Sequence, residues 1–144
     1  MSGWILDTNV LSELRKGARS KVAVKTWADS LPPHQLFVSR ITLAEIQYGI
    51  EQASDPRFRL ELTQWVESSL LPWFSGRILE VDQPVIVEWR RMVERGRKKN
   101  YTFSQPDLFI AATASVHGLG VATRNIEDFA VSGVAVMNPW EFVS

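Results

Sequence analysis

Cysteine is missing from all 144 residues, which excludes a disulfide scaffold and thiolate chemistry and fits a reducing compartment. Long apolar runs are missing too: none approaches the roughly 18 residues that a membrane helix needs. The start Met1-Ser2-Gly3-Trp4 lacks a basic region followed by a long apolar segment, so the chain is expected to be soluble and cytoplasmic. There is no excess of charge, since 16 Lys and Arg balance 16 Asp and Glu, and the global positive sign of a nucleic-acid binder is therefore absent. No internal repeat, low-complexity tract or linker interrupts the sequence, so residues 1–144 are expected to form a single domain. A domain of that length buries roughly 70% of the surface its unfolded chain exposes and needs no staple.

What charge there is has been sorted unevenly. Between Arg90 and Lys99 stand Arg90, Arg91, Arg95, Arg97, Lys98 and Lys99 against the single acid Glu94. A solvated helix end accounts for such a run, because cations are favoured there by the helix dipole. A surface for an anionic partner accounts for it equally.

Trp4-Ile5-Leu6-Asp7-Thr8-Asn9-Val10 organises the rest. A short apolar run that stops at small polar residues reads as a buried parallel strand delivering Asp7 to a sheet edge, where open α/β sheets bind ligands. Val10 to Leu14 then reads as a short helix, and Lys21 to Ala28 as a second one capped by Ser20. After Pro32-Pro33, Leu36-Phe37-Val38 reads as a strand and Thr42 opens a helix carrying Ile46 and Ile50 to about Ala53. Asp55-Pro56 starts another, with Phe58, Leu62, Trp65, Val66, Ser69 and Leu70 on one face and a break near Pro72. Strands are expected at Ile78-Leu79-Glu80-Val81, Gly120-Val121-Ala122 and Val134-Ala135-Val136, with helices opening at Asp82-x-Pro84 and Ser104-Gln105-Pro106-Asp107 and a short one within Arg124 to Phe129. The loop Asn100 to Phe103 precedes the helix from Leu108 to Val116, which is almost wholly apolar and should be buried. Strands alternating with helices predict an α/β fold, a mainly parallel sheet with helices on both faces.

Three acids recur at element boundaries. Asp7 follows a strand, while Glu45 and Asp107 are expected in the first turns of their helices. Thr42-x-x-Glu45 matches a capping box and Ser104-x-x-Asp107 is its shorter relative, so both acids have a purely local explanation worth about 0.5 to 2 kcal/mol. Against it, a carboxylate in the first turn of a buried helix needs a cation or several donors. Carboxylates gathered from separate strand ends, with no His or Cys nearby, form an oxygen-rich site suited to Mg2+ or Mn2+ and poor for zinc. Thr123-Arg124-Asn125-Ile126-Glu127-Asp128 adds a further polar cluster at the end of a strand.

Leu6-Asp7-Thr8-Asn9, Glu45 after Ser39-Arg40-Ile41-Thr42, Pro106-Asp107-x-x-Ile110-Ala111-Ala112 and Thr123-Arg124-Asn125-x-x-Asp128-Phe129 together resemble the four motif regions of PIN-domain ribonucleases. The branch they are most similar to is that of the VapC and FitB toxins of bacterial toxin–antitoxin pairs. The resemblance runs from Ile5 to Phe129 and implies that Asp7, Glu45 and Asp107 are metal ligands. Asn125 stands where many relatives carry Asp, so either Asn125 or Asp128 completes the catalytic cluster.

The chemistry so implied is hydrolysis of an RNA phosphodiester assisted by one or two Mg2+ or Mn2+ ions, roughly 3.5 to 4 Å apart if both bind. Thr8, Asn9, Thr123 and Asn125 would orient the ligands or their waters. Arg124 and Arg40 would hold the substrate phosphate, with Arg95, Arg97 and Lys98 along the RNA backbone. An ordinary surface ion pair is the competing account of Arg40. The resemblance also implies a small cognate antitoxin, a homodimer and a larger hetero-oligomer with that antitoxin. Two other readings compete: a non-catalytic RNA-binding module, and a housekeeping PIN nuclease without an antitoxin. A haloacid-dehalogenase-type phosphotransferase would want a second Asp two positions after Asp7, where this chain has Asn9.

Overall fold

The computed structural model describes residues 3–102 and 104–144. Phe103, at the end of the expected Asn100–Phe103 loop, lies outside the described residues, as do Met1 and Ser2. Among the described residues, five strands form one sheet: β1 (Trp4–Leu6), β2 (Leu36–Ser39), β3 (Ile78–Leu79), β4 (Gly120–Ala122) and β5 (Val136–Met137). Their order is β3-β2-β1-β4-β5 and every neighbouring pair is parallel. The expected α/β architecture is thus present, with a sheet that is parallel throughout.

The helices are α1 (Thr8–Leu14), α2 (Val22–Asp29), α3 (Arg40–Gln52), α4 (Pro56–Trp65), α5 (Leu71–Trp73), α6 (Gln83–Lys98), α7 (Gln105–His117) and α8 (Ile126–Ala130). They cover both faces because strand side chains alternate between them. Ile5 and Val121 join α6 and α7 in one core, with Met92, Leu108, Ile110 and Phe129. Leu6, Ala122, Leu36 and Val38 turn the other way, toward Val10, Val24, Trp27 and Phe74. Burying each large aliphatic side chain contributes roughly 1.5 to 3 kcal/mol. Trp89 stacks on Phe109 at 5.1 Å to lock α6 against α7, and Trp4 meets Trp27 edge-on at 6.3 Å to lock β1 against α2. Trp65 and Trp73 are half-buried against the second core. His34 lies in the turn Pro33–Gln35 and His117 ends α7. No helix among the described residues is long and apolar enough to cross a membrane.

Several boundaries differ from expectation. Strand β2 runs on to Ser39, whose hydroxyl accepts from Ile41 N–H at 3.1 Å, so α3 opens at Arg40 rather than Thr42. Glu45 consequently sits in the second turn, and the Thr42/Glu45 capping box does not form. Ser20 is not the cap of α2; its hydroxyl donates to the Glu13 carbonyl at 2.8 Å instead, and Lys21 precedes the helix. Pro72 does not break the α4 helix, because a π-helical turn over Val66–Leu70 passes the chain into α5. Proline near the first position of a helical turn removes no needed N–H. Strand β3 stops at Leu79, and β5 is Val136–Met137 rather than Val134–Val136, after a turn in which Gly133 takes a φ of 85°. A φ of that sign crowds a Cβ against the preceding carbonyl, and glycine has no Cβ.

Candidate active site

The strand order reverses at β1. From there the chain builds outward through β2 and β3, then returns to the other side of β1 for β4 and β5. Such a reversal opens a crevice at the carboxyl ends of the two strands it separates. Leu6 pairs with Ala122, so the next residues, Asp7 and Thr123, leave the sheet side by side. Asp7 N–H extends the ladder by one bond, to Ala122 O at 2.9 Å.

The Asp7 carboxylate is nearly sequestered, at 6% exposure. Its Oδ1 accepts from Thr8 N–H at 2.8 Å, which caps α1. Its Oδ2 accepts from the Thr123 hydroxyl at 2.8 Å and more weakly from Asn9 Nδ2 at 3.4 Å. Thr123, itself fully buried, accepts from Asn9 Nδ2 at 3.3 Å and from Asn125 N–H at 3.0 Å. Asn9 Oδ1 in turn accepts from Arg124 N–H at 3.1 Å. The first and last motif regions are therefore one hydrogen-bonded unit, in which Thr8, Asn9, Thr123 and Asn125 all fix the Asp7 carboxylate or its partner.

Two further acids act on this unit. Burial, the largest influence, pushes the Asp7 carboxyl above its ordinary range, and the charge of Asp128 pushes the same way, against the pull of its hydrogen bonds. Burial likewise pushes Asp107 up; a hydrogen bond from Ser104 opposes it, and the charges of Asp7 and Asp128 add to it. Asp107 stands in the first turn of α7 and is half-buried, while Asp128 stands in the first turn of α8 and is exposed. Three carboxylates thus gather from the ends of β1 and β4 and the start of α7. Glu45 is not among the charges felt by Asp7 or Asp107, and it lies exposed on α3.

All donors here are oxygens. Among the described residues no three acidic, His or Cys side chains close into a ready-made metal cage. Oxygen donors alone suit a hydrated Mg2+ held by one or two carboxylates, whereas zinc wants a closed nitrogen or sulfur set.

The cations divide sharply. Arg40 grips Glu80 through Nε and Nη2, the shortest contact being 2.7 Å, with both side chains half exposed or more. Its surface ion-pair account is the one realised. Along α6, Arg90 and Arg97 pair with Glu94 at 3.4 and 3.8 Å, and Arg91 and Arg95 with Glu88 at 4.0 and 3.6 Å. Glu88 lies just outside the run counted from the sequence, so the surface is less positive than that count implied. Among the described residues, no carboxylate pairs with Lys98 or Arg124. The Arg124 guanidinium instead rests 5.0 Å from the ring centre of Trp140.

Trp140 and Ser104 escaped the sequence reading as parts of this site. Ser104 was legible as a helix start but not as a partner of the Asp107 side chain. Trp140 had a signal, because Asn138-Pro139 follows a strand that ends at the same sheet edge.

Residues 4–131 match the PIN domain model. Toxin FitB of Neisseria gonorrhoeae is 38% identical over 137 residues, covering 94% of this chain and 97% of the relative. The VapC ribonuclease Y4jK of Sinorhizobium fredii is 34% identical over 137 residues, covering 95% of this chain and 97% of its own. The crystal structure of FitAcB from Neisseria gonorrhoeae superposes with a TM-score of 0.87 at 36% identity, covering 96% of this chain and 99% of that one.

Proposed function

This chain belongs to the PIN-domain family, and we propose that it is a metal-dependent endoribonuclease that acts as the toxin of a toxin–antitoxin pair. The observation that carries the chemistry is the gathering of Asp7, Asp107 and Asp128 at the strand-order reversal, with oxygen donors only. Relatives named as a ribonuclease and a toxin support the biological reading. The residues fit a hydrated Mg2+ or Mn2+: Asp7 and Asp107 would hold it, Asp128 would hold its waters, and Glu45, on the helix that packs against α7, would join them. Bound there, such an ion supplies the charge neutralisation and water activation that phosphodiester hydrolysis requires.

The chain's own residues do the rest. Thr123, Thr8 N–H and Asn9 keep the Asp7 oxygens at fixed angles, so no side-chain order has to be gained when substrate arrives. Arg124 faces the scissile phosphate, and Lys98 meets the RNA backbone farther out. Arg95 and Arg97 join it by exchanging Glu88 and Glu94 for phosphates.

A small antitoxin, a homodimer and a larger assembly of the two complete the proposal, and the cytoplasm is where the RNA and the antitoxin would be met. An acidic pocket of this kind is blocked by an extended peptide that places an Arg among the carboxylates. Expression of the chain alone in a bacterial host is expected to arrest growth, and co-expression of the adjacent small open reading frame to relieve the arrest. A wild-type chain that is folded and harmless without a partner would leave a housekeeping nuclease as the better account.

A further inference from the structure

Arg124 is held at both ends. Asn9 Oδ1 accepts its backbone N–H at 3.1 Å, and its guanidinium lies 5.0 Å from the Trp140 ring centre. The sheet creates this contact: Ala122 pairs with Met137, so β4 and β5 release their following residues together at the edge that carries Asp7. Asn138 Oδ1 accepts from Trp140 N–H at 3.0 Å and fixes the turn Pro139–Glu141. That turn packs on α2, and Trp140 is half-buried against the core beneath it. Arg124, Asn125, Glu127, Asp128, Asn138 and Glu141 line an open groove of about 390 Å³. A ring face attracts the cation without an acceptor oxygen, which leaves the guanidinium N–H donors available to a phosphate. Arg40, clamped on Glu80 by the same kind of donors, has no such freedom.

We propose that Trp140 is a positioning residue that holds the Arg124 guanidinium over the groove it shares with Asp128, ready for the phosphate of a single-stranded RNA. The proposal rests on the ribonuclease reading. A long side chain has rotamer entropy to lose on binding, and a ring that orders it beforehand reduces that loss. The ring acts through Arg124 and does not touch the RNA.

The test is fluorescence anisotropy of a labelled single-stranded RNA oligonucleotide, in EDTA so that it stays intact, across a salt series. Arg124→Ala and Trp140→Leu are each expected to weaken binding by about 2- to 10-fold. Arg124→Ala should also reduce the slope of log K against log salt by about 0.7, the value for one phosphate contact on a single strand. Trp140→Phe should bind close to wild type, and Trp140→Leu should cost nothing more once Arg124→Ala is present. A neutral Trp140→Leu beside a weakened Arg124→Ala overturns the proposal. So does a Trp140→Leu loss that persists undiminished in the Arg124→Ala background, since the ring would then bind RNA directly. If Trp140→Leu does not fold, Trp140→Met carries the test, because its loss must likewise vanish in the Arg124→Ala background. A wild-type chain that binds no RNA in EDTA overturns the proposal, whose guanidinium must reach the phosphate without the metal, and leaves the metal-dependent ribonuclease reading standing.

Discussion

Replacing Asp7 by Asn separates what this carboxylate does for chemistry from what it does to stability. In the folded chain, burial outweighs the hydrogen bonds from Thr123, Thr8 and Asn9, and the carboxyl stays above its ordinary range. The ionised form is therefore less favourable in the fold than in the unfolded chain. Asn keeps the shape and an acceptor for Thr8 N–H, but its amide faces the Thr123 hydroxyl, whose oxygen already accepts from Asn9 Nδ2 and Asn125 N–H, so the Thr123 O–H loses its acceptor. The exchange removes the charge-assisted bond from Thr123, 2.8 Å long, and strands its hydroxyl, a loss of about 1 to 3 kcal/mol. Relief of the buried charge offsets part of that loss at neutral pH, because the net displacement of the carboxyl is upward. A deficit of about 1 to 3 kcal/mol is expected in acid, which in a domain of this size lowers Tm by roughly 2 to 4 °C per kcal/mol, and a smaller one at neutral pH. The pH dependence has a definite sign. A carboxyl raised in the folded state contributes stability that is fully present below its unfolded value and is lost as pH rises through its folded value. The Tm deficit of Asp7→Asn against wild type should then be largest in acid and shrink as pH rises to neutrality. Circular-dichroism melts in EDTA over a pH series measure this directly. Adding Mg2+ should raise the wild-type Tm by mass action and leave the variant unmoved. A deficit that grows as pH rises would refute the reasoning.

Thr123→Val keeps the shape and removes the hydroxyl that serves Asp7, Asn9 and Asn125, so it should destabilise by about 1.5 to 3 kcal/mol and cut activity, read by melts and by initial rates. Asp128→Ala should weaken Mg2+ binding by about 10- to 100-fold, as expected of a residue that acts through the ion's waters. Asn125 offers the site only its backbone N–H, so Asn125→Ala should leave titrated Mg2+ affinity within about twofold; the reverse ranking would give the fourth role to Asn125.

The parts of the fold set by local chemistry were legible in the sequence. Trp4-Ile5-Leu6 before Asp7 reads as a buried strand because nothing in it tolerates water. Asp55-Pro56, Asp82 with Pro84, and Ser104 with Pro106 mark helix starts because a proline near the first turn gives up no hydrogen bond, and all three helices open there. The Asp7–Asp107 neighbourhood followed from placing two such ends at one sheet edge. What the sequence hid depends on which of two competent groups wins, or on which strands lie side by side. Ser39 and Thr42 can each cap a helix; β2 reaches Ser39, so α3 starts early and Thr42 is buried with its hydroxyl unpartnered. The pairing of Arg40 with Glu80 requires β3 to lie next to β2, a fact of topology with no local trace. The meeting of Arg124 with Trp140 similarly waits on the register of β4 with β5.

The account stands or falls on metal-dependent hydrolysis at the acidic cluster. The purified chain should be incubated with single-stranded RNA in Mg2+ or Mn2+, in EDTA, and again in Mg2+ with Asp107→Asn after a melt has shown that variant to be folded. Multiple-turnover cleavage by the wild type with metal, and none in the other two arms, is the predicted result. Cleavage that survives EDTA, or a folded Asp107→Asn that turns over at close to the wild-type rate, would contradict it.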